Sequence, residues 1–204
     1  MRRTAAAFIA LVAWAGLVIQ FDAVLGRTES WAGAAWVMVA YFTVVTNLVV
    51  AVTFTGIAAG LATFAAPRLA AGLSLSILLV GCVYHLLLRG LLELSGGDLT
   101  ADWILHTATP VLVSLYWILS VRKGALTRRD PLLWSLYPLV YLVYALGRGA
   151  IEGRYAYPFI DVRALGWPAT LVNAVVIALG FLAAGYALVW LDRRLGQPDG
   201  RASL

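Results

Sequence analysis

The sequence predicts an all-α, polytopic membrane protein: a bundle of six transmembrane helices with both termini in the cytoplasm. Three observations carry that expectation. Of 204 residues, 62% are hydrophobic and only 12% charged, where a soluble domain has about half and about a quarter; mean hydropathy is +0.88. The apolar residues gather in six runs close to the roughly 20 residues needed to cross the hydrocarbon core. The cations collect unevenly between those runs.

The runs cover approximately residues 4–25, 36–61, 69–94, 101–121, 131–148 and 167–191. The opening MRRT before an apolar stretch resembles a signal peptide. No small-residue cleavage site closes the stretch, so it reads as a retained first helix. GRTESWAG, TFAAPR, SGGDLT and RKGALTRRD are short punctuated loops between successive runs. The fifth loop, GAIEGRYAYPFIDVRALG, is the longest. Gly147 just before it, with its Gly149 and Gly153, permits tight turns, and Tyr155, Tyr157 and Phe159 suit an interfacial aromatic belt. No loop is long enough for a separate soluble domain, so residues 1–204 read as one membrane domain. No internal repeat stands out, which argues against an inverted-repeat transporter.

Charge sets the orientation. With the N-terminus inside, ten of the fifteen Lys and Arg residues are cytoplasmic: Arg2, Arg3, Arg68, Arg122, Lys123, Arg128, Arg129, Arg193, Arg194 and Arg201. Arg27, Arg89, Arg148, Arg154 and Arg163 fall on the other side, together with seven of the ten carboxylates. The net charge of +5 therefore reports topology, and no nucleic-acid partner is expected. A bacterial inner membrane is the expected location. Cys82 is the only cysteine, which excludes a disulfide framework, a zinc ribbon and an iron–sulfur site within one chain.

Polar residues inside the apolar runs are the functional candidates. Thr43 and Asn47 are four apart and share a helix face. Counting 1.5 Å per residue, Thr43 lies roughly 10 Å below the outer boundary, His85 roughly 13 Å and Arg89 roughly 7 Å. His106, Arg148 and Asn173 also fall in the outer half, which points to one polar cavity there. A threonine in a spanning helix can equally bond its own backbone or hold two helices together. Asn47 can clamp a helix or polarise a carbonyl. His106 needs a partner beyond its own backbone, and Asp102, one turn earlier, can orient it or simply start the helix. Thr107, Thr109 and Pro110 point to a locally rearranged backbone. His85 has Tyr84, Arg89 and Glu93 as structural partners, with Arg89 and Glu93 spaced to pair at the interface. Arg148 and Asp161 can line the cavity or snorkel.

These residues permit nucleophilic hydrolysis. Thr43 would attack, His106 would be its base, Asp102 would orient the imidazole, and Asn47, Asn173 or Arg148 would stabilise an oxyanion. The apolar approach implies a lipid-like substrate. There is no GxSxG, HExxH or P-loop motif. Rival readings use the same residues differently. His85 and His106 lie at similar depth, as bis-histidine haem ligands would. A small-solute transporter would use the polar cavity, although the apolar inner half offers it no path. A zinc site would need an aspartate beside the two histidines. No cofactor or metal is expected.

Three stretches carry a resemblance: FTVVTNLVV (Phe42–Val50), HTATPVL (His106–Leu112) and RYAYPFID (Arg154–Asp161). Together, at their spacing along six helices, they resemble the androgen-induced-gene family of membrane proteins. The resemblance covers essentially the whole chain. It implies an intramembrane threonine hydrolase like the animal relatives, which cleave fatty acid esters of hydroxy fatty acids. The implied nucleophile is Thr43 and the implied histidine is His106. The family stretch has an aspartate three residues after its threonine, whereas here Asn47 follows Thr43 by four, so Thr46 is the alternative nucleophile.

Overall fold

The computed structural model describes residues 1–196. Among them every regular element is helical. The helices are α1 (Arg2–Thr28), α2 (Trp31–Met38), α3 (Phe42–Ala59), α4 (Pro67–Leu88), α5 (Gly96–Ser120), α6 (Asp130–Glu152) and α7 (Val162–Leu195). Short 3₁₀ turns at Ala62–Ala65 and Pro158–Ile160 lie in the connections.

Five of these, α1, α3, α4, α5 and α7, are long and apolar enough to cross a membrane. They carry apolar side chains outward as well as inward: Leu11 is 69% exposed and Leu119 78%. A soluble helix keeps a polar face, so this is the surface of a membrane-embedded protein. The run at 131–148 forms α6, whose 23 residues span about 34 Å, long enough to cross. It is not among the five because Trp134, Tyr137, Tyr141, Tyr144 and two prolines dilute its leucines and valines.

The expected second helix, 36–61, divides. Ser30 caps α2 by accepting from the Gly33 N–H at 3.2 Å. That helix ends at Met38, and α3 begins at Phe42 after extended Tyr41 (φ −102°, ψ 127°). Thr43 is therefore the second residue of its helix, and a depth counted from residue 36 does not apply to it. At Arg89 the backbone leaves α4 with ψ 128°, so Glu93 no longer follows one turn along and the expected Arg89–Glu93 spacing is lost. Gly166 (φ 74°) and Pro168 break the first turn of α7 from the remainder.

Contacts between helix ends give the stacking order. Arg3 at the start of α1 donates to the Ala59 carbonyl at the end of α3 (3.1 Å), and Arg68 beside the start of α4 pairs with Asp130 at the start of α6 (3.5 Å). At the other end, Arg27 in the last turn of α1 pairs with Asp98 in the first turn of α5 (2.5 Å). The six long helices thus alternate in direction, and the starts of α3 and α5 share an end with the close of α4 and α6. Two glycines let α1 and α4 approach α5 around His106. A Cβ on Gly16 would come within 2.7 Å of Ile104 Cγ2, and one on Gly81 within 3.2 Å of Pro110 Cβ and 3.3 Å of the His106 carbonyl.

The opposite end is tied by Asp192. It is fully buried, and one carboxylate oxygen accepts from the Gly124 N–H (2.9 Å) and the Leu126 N–H (3.0 Å). Hydrogen bonds to a charged group contribute about 1.5–3 kcal/mol each. Asp192→Ala is expected to lower the unfolding free energy in mixed micelles by about 3 kcal/mol, read by denaturant titration. An unchanged midpoint would show the 121–127 turn to be held by something else.

Candidate active site

Many hydroxyls in these helices bond their own backbone. Thr28, Thr55, Ser76, Thr100, Ser114 and Thr170 each donate back to the carbonyl four residues earlier, at 2.7–3.1 Å. That is the usual fate of a helix hydroxyl. Thr43 and Thr46 differ. At the second position of α3 there is no helical carbonyl behind Thr43, and the Ala40 carbonyl is taken by the Tyr141 hydroxyl at 2.6 Å. The start of the helix leaves the Thr43 hydroxyl without an internal partner.

His106 supplies one. Its Nε2 lies 3.1 Å from Thr43 Oγ1. Its Nδ1 lies 3.0 Å from Asp102 Oδ1 and 3.1 Å from the Asp102 carbonyl oxygen. Both Asp102 atoms are acceptors, so the ring hydrogen belongs on Nδ1, and Nε2 is left to accept from the threonine hydroxyl. The second Asp102 oxygen accepts from the Tyr84 hydroxyl at 2.5 Å. The Tyr84 ring also stacks on the imidazole, with centroids 4.1 Å apart and planes 16° from parallel. The carboxylate is thereby satisfied on both oxygens and the imidazole on both nitrogens and one face.

Two π-helical turns set this geometry. Ile104–Ala108 carries His106 inside α5, and Tyr84–Leu88 closes α4. Single π turns recur at functional sites because they re-aim side chains that a regular helix would place elsewhere. Pro110 contributes by withholding the N–H that would otherwise bond the His106 carbonyl. The rearrangement signalled by Thr107, Thr109 and Pro110 is present.

The remaining candidates hold the frame. Asn47 is fully buried; its Nδ2 donates to the Thr43 carbonyl (2.9 Å) and to the Leu105 carbonyl (3.2 Å), tying α3 to the π turn. With that nitrogen committed, Asn47 is a clamp and offers no donor to an oxyanion. Arg148 turns away, bonding Glu152 (2.9 Å) and Tyr144 (2.9 Å) and covering Trp36. Asn173 donates to the Phe159 carbonyl (2.9 Å), and Asp161 caps α7 through the N–H groups of Arg163 and Ala164. His85 Nε2 lies 3.1 Å from Thr107 Oγ1. Shared ligation of one haem would require both histidines to give up their Nε2 contacts. Thr46 Oγ1 meets the Tyr137 hydroxyl at 2.9 Å and is fully buried.

Thr43 also lines a cavity of about 200 Å³. Its walls are Leu79, Val83, Leu142, Ile177 and Phe181 among other apolar groups, with Tyr141 and Tyr157 near Thr43. Exposed Leu139 and Ala178 stand at its rim, so it opens sideways between α6 and α7. Sequence reasoning assigned Tyr157 to the interfacial belt and Tyr84 to His85. Tyr157 is instead buried (8% exposed), and its hydroxyl accepts from the Thr43 N–H at 3.4 Å.

The chain matches no family model, no curated protein and no solved structure.

The Asn47 clamp makes a sharp expectation. Asn47→Asp keeps the shape but turns an acceptor toward two carbonyl oxygens inside the core. It should cost at least about 2 kcal/mol of stability. Equal stability of the variant in micelle unfolding would show that the amide does not bind these two carbonyls.

Proposed function

We propose that this protein is an intramembrane hydrolase of long-chain lipid esters, with Thr43 as nucleophile and His106 as base. The observation that carries the reading is the unbroken Thr43–His106–Asp102 hydrogen-bond chain, whose hydroxyl end faces an apolar cavity. The resemblance to the androgen-induced-gene family adds the substrate class, fatty acid esters of hydroxy fatty acids.

The reaction follows from the proton positions. His106 Nε2 takes the Thr43 hydroxyl proton as Oγ1 attacks the ester carbonyl carbon. The carbonyl π electrons move to its oxygen, giving a tetrahedral oxyanion. Collapse expels the alkoxide, which leaves as the alcohol with the proton from Nε2, and the acyl group stays on Oγ1. Water then attacks the acyl-threonine while Nε2 accepts its proton; collapse releases the fatty acid and returns the proton to Oγ1. Asp102 keeps the Nδ1 tautomer and stabilises the transient imidazolium. Tyr84 holds Asp102 and the ring plane.

The same reading places six spans in a bacterial inner membrane, α6 included, with both termini cytoplasmic. Its support is the end at which cations collect. Arg2, Arg3, Arg68, Arg122, Lys123, Arg128, Arg129, Arg193 and Arg194 lie at the end opposite the site. Arg201, expected on that side, lies outside the described residues. The substrate then comes from the outer leaflet.

Two measurements bear on this. With Cys82→Ala as background, Arg128→Cys should react with an impermeant maleimide only after the cytoplasmic side is opened, and Arg154→Cys from outside. The reverse pattern overturns the orientation. For the chemistry, Thr43→Ala and His106→Ala should each remove nearly all ester turnover, because nucleophile and base act as a unit. Thr43→Ser should retain part of it, Asp102→Asn should lose less than His106→Ala, and Thr46→Ala should be mild. Turnover by a Thr43→Ala variant at the wild-type rate ends the mechanism.

A further inference from the structure

The reaction above develops negative charge on the substrate carbonyl oxygen, and the side chains first considered for stabilising it are committed elsewhere. Asn47 holds two carbonyls, Arg148 holds Glu152, and Asn173 holds the Phe159 carbonyl. The oxyanion still needs donors close to Thr43.

The first turn of α3 holds one. Val44 and Val45 N–H groups both bond the Tyr41 carbonyl, while the Thr43 N–H has no acceptor inside the helix. It points at the Tyr157 hydroxyl, 3.4 Å away. That hydroxyl accepts this bond, and its own hydrogen is free to rotate among the neighbouring Thr43 and Tyr141 hydroxyls; Tyr141 in turn donates to the Ala40 carbonyl. Tyr157 is 8% exposed, lines the same cavity as Thr43, and is fixed by stacking on Phe159 (centroids 5.2 Å, planes 7° apart). Asn173 and the cap at Asp161 hold the short turn that follows it. Burial raises the phenol above its ordinary value, so it is protonated and able to donate at neutral pH.

We propose that Tyr157 is a catalytic residue, its O–H forming with the Thr43 backbone N–H the pair of donors that binds the oxyanion. The pair rests on the threonine-hydrolase reading and adds to it. Two donor atoms 3.4 Å apart can both reach one oxygen at the 2.7–3.1 Å of an effective oxyanion contact. With no carbonyl between them, the N–H donates to the hydroxyl itself. When a carbonyl enters, the hydroxyl turns its hydrogen onto it, and the N–H exchanges one acceptor for another. No proton is transferred in this step; both donors keep their hydrogens, and the bonds shorten as charge builds.

The test is Tyr157→Phe, which removes one oxygen and leaves the ring stacking. Loss of one oxyanion donor lowers kcat by about 100-fold or more, with KM expected within about two-fold. The second readout is inhibition by an alkyl trifluoromethyl ketone, whose adduct with Thr43 carries an oxyanion; it should weaken by a similar factor, while competitive inhibition by a plain fatty acid stays as in wild type. Tyr155→Phe, at a ring packed on Gly149, is the control and should match wild type in both. Wild-type kcat and ketone inhibition in Tyr157→Phe overturn the Tyr157 role while leaving the threonine mechanism standing. Parallel loss of ketone and fatty-acid inhibition also overturns it, by assigning Tyr157 to the shape of the cavity. Full turnover by Thr43→Ala sinks the underlying reading and the donor pair with it.

Discussion

An imidazole placed among apolar helices must have both nitrogens partnered, and this requirement organises one end of the molecule. His106 meets it with a carboxylate on one side and a hydroxyl on the other. Each partner carries the demand onward. Asp102 brings a second oxygen that needs a donor, and Tyr84 supplies it from the neighbouring helix. Thr43 can offer its hydroxyl only because α3 starts one residue before it, which in turn requires the extended backbone at Tyr41. Unsatisfied polar groups cost several kcal/mol in an apolar medium, so each link constrains the next.

Much of this was legible in the sequence. The i, i+4 spacing of Thr43 and Asn47 placed them on one face, and Asp102 and His106 have the same relation. Both pairings appear, with Asn47 bonding the Thr43 carbonyl and Asp102 bonding the ring. The rearranged backbone around Pro110 was also readable, because proline withholds a donor wherever it stands. The break between α2 and α3 was not. WVMVAYF is apolar throughout, and hydropathy does not distinguish a continuous helix from one interrupted by three residues. Tyr157 was missed for a related reason. An aromatic residue near a helix end suits both the membrane interface and a buried site, and only the chain's path beyond Gly153 decides which. Arg148 and Asn173 were placed at the correct end, but the acceptors that claim them, Glu152 and the Phe159 carbonyl, depend on local geometry that composition does not encode.

The two ends of the bundle solve the problem of buried polarity differently. At the far end Asp192 and Asp130 accept from backbone N–H groups of the 121–127 segment and its neighbour. Those bonds fasten loops and terminate in backbone, so they have one arrangement. At the Thr43 end a chain of side chains runs from Tyr84 through Asp102 and His106 to Thr43, and the last of them borders open volume. Rotating one hydroxyl there exchanges one bond for another at little cost, whereas moving Asp192 would strip two backbone donors at once. Rigidity is concentrated at one end and exchangeable bonding at the other.

The sideways opening of the cavity between Leu139 and Ala178 changes what concentration means for any molecule that enters through it. Such a molecule approaches within the bilayer plane, so the relevant variable is its mole fraction among lipids and not its molarity in the surrounding buffer. Adding inert detergent or lipid dilutes it at constant bulk concentration. Apparent affinities at Thr43 would then scale with the amount of amphiphile present, and measurements made in micelles of different size or number become comparable only after conversion to a two-dimensional scale.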